Sequence, residues 1–288
     1  MRGLFLFLLL AGITGGVFAQ RISGRIVNSL GEPVEYVNLG VKNTQVGQTS
    51  DGKGHFSIYI PDTLRNESLM FSHLSYEVQF IPVTELLRKM SGEGEVIVTL
   101  PGRAFQMQPV MVSPGRIRYR RYEKTFRSGM GYYSSPSIDT AKMKENEVQR
   151  VNAEIGTVYS VKERLWLKTI TLDVSRCSLD SVLLRVNLFR YEDRRPIEEL
   201  LYKPIYIVVR QDFKQASYEI DVEPDNIVLE LGDVAVGLDI IELYGDKWNA
   251  LLLPHYSGGG YRRGLLSDEV EKQSRNPGIS LYGRILPD

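Results

Sequence analysis

The sequence predicts an all-β protein: an N-terminal antiparallel β-sandwich of about seven strands, followed by a jelly-roll-like β-sandwich. Three observations carry this. Apolar residues recur at every second position through most of the chain, as strands with one buried face require. Clusters of Gly, Pro, Asp and Asn interrupt the alternation at short intervals. Between 101 and 152 the alternation lapses, which separates two sets of strands.

The first nineteen residues, MRGLFLFLLLAGITGGVFA, precede the strands and have another purpose. A lone Arg2, an apolar run from Leu4 to Ala11 and the small-x-small pair Val17 and Ala19 predict a cleaved signal peptide at 1–19, with Gln20 as the new terminus. The run is shorter than the roughly 20 residues of a membrane span. Export to the periplasm, the outer membrane or the cell surface is expected, with no transmembrane segment after cleavage.

From Ile22 the period is two. Ile22, Gly24 and Ile26 form the first strand, the GEP turn follows at Gly31–Pro33, and Val37, Leu39 and Val41 form the second. Further strands are expected at Phe56/Ile58/Ile60, Leu69–Leu74, Tyr76/Val78/Phe80, Val96/Val98/Leu100 and Val110/Val112, with one short helix at Val83–Met90. These make a domain over 20–113. Residues 114–152, basic and rich in tyrosine, read as a linker.

The second domain, 153–288, alternates at Ile170/Leu172/Val174, Leu184/Val186/Leu188, Ile205/Ile207/Val209, Tyr218/Ile220/Val222, Ile227/Leu229/Leu231, Val234–Ile240 and Ile279–Ile285, with a helix expected at Ile197–Tyr202. Nothing suggests βαβ units, which argues against Rossmann-type nucleotide chemistry.

The stretch TSDGKGHFSI, Thr49 to Ile58, resembles a ligand loop at first sight, but its chemistry fails. A phosphate cradle needs a helix after the glycines, and an EF-hand needs more acceptor oxygens and a twelfth-position Glu. It predicts a hairpin corner leading into a strand that buries Phe56.

The run ISGRIVNSLGEPVEYVNLGVKNTQVGQTSDGKGHFSI resembles the carboxypeptidase-regulatory-like β-sandwich, through its G-x-V start, G-x-P turn, aromatic-x-Asn-Val strand and T-x-x-x-G-x-F corner. LMFSHLSYEVQFIPV and VTLPGRAFQMQPVMVSP are similar to that domain's later strands and exit, with Ser75 where a Gly is usual. The resemblance covers Ile22 to about Val112. It implies the kind of module that often precedes TonB-dependent receptors in exported bacterial proteins. The remaining sequence offers no plug and long barrel, so receptor activity is not implied. More faintly, WLKTITLDVSRCSLDSVLLRVNLFRYEDRRPIEELL resembles the jelly-roll-like region of uncharacterised exported bacterial proteins.

Thirty-five basic and 35 acidic residues argue against a general attraction to nucleic acid, despite the cationic stretch Arg116–Arg127. The three histidines, His55, His73 and His255, lack metal-ligand spacing, and no metal or cofactor is expected. Cys177 reads as a thiol at a sheet margin, and Glu198 and Glu199, adjacent on the expected helix, do not face each other. Asp62, Asp139 and Asp180 each open a D-S/T pattern resembling an acceptor for O-glycosylation in exported bacterial proteins. The richest ligand-binding candidate is KWNALLLPHYSGGGYRRG, read as a flexible loop in which Trp248, His255, Tyr256 and Tyr261 offer ring faces and Arg262 and Arg263 offer cationic forks. The expected function is a non-catalytic envelope protein binding a glycan or a protein partner. The alternatives are a hydrolase of polysaccharide or peptide, and a purely structural envelope component.

Overall fold

A computed structural model describes residues 19–104, 117–124, 132–134, 153–212, 216–245 and 251–287. The expected signal peptide, Val110/Val112 and most of the expected linker lie outside them. The protein is all-β, and among the described residues no helix is long and apolar enough to cross a membrane.

The first half comprises β1 (Ala19–Asn28), β2 (Asn38–Val41), β3 (Gly47–Thr49), β4 (His55–Pro61), β5 (Ser68–Ser72), β6 (Gln79–Pro82), helix α1 (Val83–Glu93) and β7 (Val96–Leu100). They form two sheets, β4-β1-β7 and β3-β2-β5-β6. The apolar beats of both sheets, such as Ile22, Phe56, Val98, Leu39 and Phe71, meet in one core, with Phe56 edge-on to Phe71 at 5.7 Å. Helix α1 contributes Val83 and Leu86 to that core, and it ends where Gly94, in the left-handed region, donates its N–H to the Met90 carbonyl.

Two expectations are corrected here. The β1–β7 pair is parallel rather than antiparallel, because α1 carries the chain from the β6 sheet across to the other. The Thr49–Ile58 stretch is not a hairpin: β3 and β4 belong to different sheets, and the chain crosses between them at a corner. There the Asp51 carboxylate accepts the N–H groups of Lys53 (2.9 Å) and His55 (2.8 Å).

The second half holds β8 (Tyr119–Tyr122), β9 (Tyr132–Ser134), β10 (Ala153–Val161), β11 (Leu165–Val174), β12 (Arg176–Glu192), β13 (Arg195–Glu199), β14 (Ile205–Asp212), β15 (Ala216–Asp221), β16 (Val228–Leu229), β17 (Gly232–Tyr244), β18 (Leu251–Gly264), β19 (Glu271–Pro277) and β20 (Ile279–Ile285). The larger sheet runs β13-β12-β17-β10-β18-β19, with β14 also on β12 and β9 on β18. The smaller runs β15-β11-β20-β8, with β16 on β11. Leu184, Val186 and Leu238 from the first meet Leu167, Ile170 and Leu281 from the second in a single core, which also encloses Cys177.

The helix expected at Ile197–Tyr202 is absent. Asp193 and Arg194, both at positive φ, close a two-residue hairpin turn between Glu192 and Arg195. The hairpin lays residues 195–199 along β12, and pairing to a long strand outweighs local helix propensity. Strand β8 lies inside the stretch expected to be linker, where Tyr119 stacks on Tyr282 at 5.5 Å.

The halves touch through polar groups and through Tyr36, edge-on to Tyr206 at 5.3 Å, and Leu74, which packs on the second core. Arg185 of β12 donates to the Tyr36 carbonyl (3.0 Å) and to Asn38 Oδ1 (2.9 Å), and Lys42 pairs with Asp268 at 2.7 Å.

Candidate functional site

The larger sheet has one apolar face, in the core, and one face turned toward the first half. On that second face the register places four charged residues in a single row. Arg185 (β12) stands opposite Asp239 (β17), Asp239 opposite Glu154 (β10), and Glu154 opposite Arg263 (β18). The row reads plus, minus, minus, plus. Two carboxylates directly opposite each other repel, and the surroundings resolve the conflict.

Arg185 reaches Asp239 Oδ2 with Nη2 at 2.7 Å and Nε at 3.1 Å. Arg263 grips both oxygens of Glu154, Nε to Oε1 and Nη2 to Oε2, at 2.9 Å each. The Asn187 amide donates to both carboxylates, at 2.6 Å to Glu154 and 2.9 Å to Asp239. Tyr261 adds its hydroxyl to Glu154 Oε1 at 2.6 Å. Glu154, Asp239 and Arg185 are only 1%, 2% and 6% exposed. Charges so buried persist only when paired and hydrogen-bonded, because desolvation costs several kcal/mol per ion. Desolvation works against the Arg185 cation, yet Asp239 beside it holds the charge firmly in place.

The next row along the same strands explains how Tyr261 fits. It consists of Asn187, Gly237, Gly156 and Tyr261. The tyrosine lies over both glycines: a Cβ on Gly156 would stand 2.4 Å from the ring, and one on Gly237 2.4 Å from the hydroxyl and 2.8 Å from Glu154.

Above this face, between the halves, is a cleft of about 250 Å³. One wall comes from the first half (Asn38, Met70, His73 and Tyr76) and the other from the charged row together with Phe189 and Glu199. His73 accepts the Ser75 N–H on Nδ1 at 3.2 Å, so the neutral ring carries its proton on Nε2. Burial, with Arg185 nearby, lowers its pKa to about 4. The buried atoms His73 Nε2 and Asp239 Oδ1 have no hydrogen-bond partner among the described residues. Glu199 accepts the Leu188 and Leu201 N–H groups, and desolvation, reinforced by Glu154, pushes its carboxyl up to about 8.

The five described residues of the six expected to bind ligand do not converge. Leu251–Gly264 is strand β18 rather than a flexible loop, with the glycines forming a bulge where Gly258 and Gly259 take positive φ. Tyr261 is 2% exposed and cannot offer a ring face to a ligand. Arg263 lines the cleft, while Arg262 is exposed opposite Glu271 on β19. Tyr256 donates to Asp173 at 3.0 Å and lines a separate hollow of about 230 Å³ with Arg121 and Thr171. His255 is half-buried opposite Pro277, and Trp248 lies outside the described residues.

Glu154, Arg185, Asn187, Asp239 and His73 escaped the sequence reading because residues on the off-beat of an amphipathic strand are ordinarily solvated. The available signal was Gly156 and Gly237 inside otherwise regular strands, since a strand glycine often marks a close approach. Glu198 and Glu199 lie on a strand, so they point to opposite faces.

Residues 22–112 match the family model of the CarboxypepD_reg-like domain. Over 81 residues, 28% of this chain, the protein is 38% identical to TonB-dependent receptor P3 of Formosa agariphila, and the match spans 8% of that receptor's length. Among solved structures, those of the infectious bursal disease virus Gt and Gx strains align at 9% and 10% identity with TM-scores of 0.24 and 0.16, over 94% and 93% of this chain and 65% of each virus chain. Likenesses that faint carry no argument. It is therefore the half contributing Asn38, His73 and Tyr76 to the cleft, residues 22–112, that is a CarboxypepD_reg-like domain.

Proposed function

We propose that this is an exported bacterial envelope protein that works by binding, its cleft between the two β halves receiving a glycan or a protein partner. The CarboxypepD_reg-like domain, its likeness to a TonB-dependent receptor and the N-terminal signal-like segment support the envelope setting. The observation that carries the binding reading is the state of the carboxylates. Glu154 has both oxygens taken by four donors, and Asp239 has three on a single oxygen. That charge is spent on architecture, and the one oxygen these two carboxylates leave over, Asp239 Oδ1, is a buried acceptor that a donor on a bound ligand would satisfy. Arg263, which lines the cleft, is part of the proposed site.

One observation favours the hydrolase alternative. Burial, reinforced by the nearby Glu154, pushes the Glu199 carboxyl up to about 8, the direction that suits a general acid. Both readings meet the same test: the purified chain is applied to an array of bacterial and host glycans and, in parallel, incubated with polysaccharides and peptides while products are followed. Retention without turnover is expected. Turnover that disappears in Glu199→Gln would replace the binding reading with the hydrolytic one. Fractionation of cells expressing the full chain checks the setting, with recovery outside the inner membrane expected.

A further inference from the structure

We infer that the cleft holds a single neutral sugar ring by two adjacent hydroxyls, one accepting from His73 Nε2–H and the other donating to Asp239 Oδ1. This rests on the binding reading above. The two atoms are buried and have no partner among the described residues, His73 at 8% exposure and Asp239 at 2%. A buried polar group left without a partner costs about 1–3 kcal/mol, so a pair of them, one donor and one acceptor, defines what is missing. Arg185 links the two: it bonds Asp239 directly, and its charge is felt by the His73 ring. Hydroxyls both donate and accept, so neighbouring ones on a ring can satisfy a donor and an acceptor at once.

The cleft's electrostatics exclude charged ligands. An anion would need free cationic donors. Arg185 is spent on Asp239, Tyr36 and Asn38, and Arg263 on Glu154, while the bare oxygen of Asp239 repels a negative group. An amine would find Asp239, Glu154 and Asp268 already matched by Arg185, Arg263 and Lys42, with Arg103 also in the lining and Glu199 protonated at neutral pH. A neutral polyol meets neither objection. Met70, Leu74, Val78 and Phe189 supply apolar wall for the C–H face of a ring. A cleft of about 250 Å³ has room for a sugar ring.

The test uses the full chain with ¹⁵N-labelled histidine, titrated with glucose, galactose, mannose and N-acetylglucosamine up to their solubility limits. His73 is assigned among the three histidines by its loss in His73→Phe. Saturable movement of the His73 Nε2 resonance by at least one sugar is expected, together with about tenfold weaker binding by His73→Phe, the scale of one buried hydrogen bond. A deoxy analogue lacking one of the paired hydroxyls is expected to weaken similarly. Sugar binding that leaves His73 unmoved overturns the cleft assignment while the binding role stands. No movement with any of the four sugars overturns the inference, while retention on the glycan array decides the binding role separately. If His73→Phe fails to fold, the resonances lost in His55→Gln and His255→Gln leave that of His73 by elimination, and the wild-type titration still answers.

Discussion

Arg263 and Glu154 face each other directly across β18 and β10 and share two parallel hydrogen bonds of 2.9 Å, with Glu154 almost wholly withdrawn from water. The guanidinium also lies over the Phe189 ring at 4.5 Å, so its charge is met on its edge by a carboxylate and on its face by a π-system. The same residue pair thus builds the sheet and shapes the cleft floor.

Removing one partner leaves the other buried and unmatched. Glu154→Ala is expected to lower unfolding free energy by about 3–5 kcal/mol, whereas the double variant Glu154→Leu/Arg263→Met regains part of the loss, because apolar groups of similar volume need no pairing while the Tyr261 hydroxyl still lacks its acceptor. Urea denaturation of the wild type, both single variants and the double variant measures the difference. A double variant as unstable as Glu154→Ala counts against this account.

The two strand glycines under Tyr261 have no space for a methyl group. Gly237→Ala would force its Cβ against the tyrosine hydroxyl and the Glu154 carboxyl, and a loss of about 1–3 kcal/mol is expected from overpacking. Tyr261→Phe in the same chain removes the nearest clash and restores part of that loss. Thermal melts of the three variants report it, and a neutral Gly237→Ala would mean that the sheet shifts freely here.

Two groups give stability opposite pH slopes. His73 titrates near 4 in the fold against 6.5 ordinarily, so between those values the unfolded chain binds more protons and stability falls as pH falls. Glu199 titrates near 8 against 4.5, so the folded chain holds the extra proton and stability is lost as pH rises through that window. Between about 6.5 and 8 only the Glu199 slope of this pair remains. Chemical denaturation across this range is expected to show declining stability in the wild type and a flatter profile in Glu199→Gln; an unchanged profile would place the Glu199 titration elsewhere.

Much of the architecture was legible because period-two alternation and turn residues are local signals. Ile22–Ile26, Phe56–Ile60 and Leu184–Leu188 all lie in strands with those residues inward, and Val83–Met90 is helical. Partner choice along sheet edges was not local. Arg195–Glu199 became a strand because β12 was long enough to receive it, and Leu251–Gly264 because β10 and β19 flank it. The site was the least legible part. A row of Arg185, Asp239, Glu154 and Arg263 exists only once four strands distant in sequence are placed in register.

The parallel pairing of β1 with β7 has a mechanical consequence. β1 enters the CarboxypepD_reg-like domain, β7 is the last of its described strands, and the two run side by side in the same direction from Gly24/Val96 to Asn28/Leu100. Tension applied between the entering and leaving chain therefore shears the two strands lengthwise and loads their hydrogen bonds together, rather than unzipping them one at a time. The half that carries Asn38 and His73 is wired as a clamp, resisting a pull along the chain.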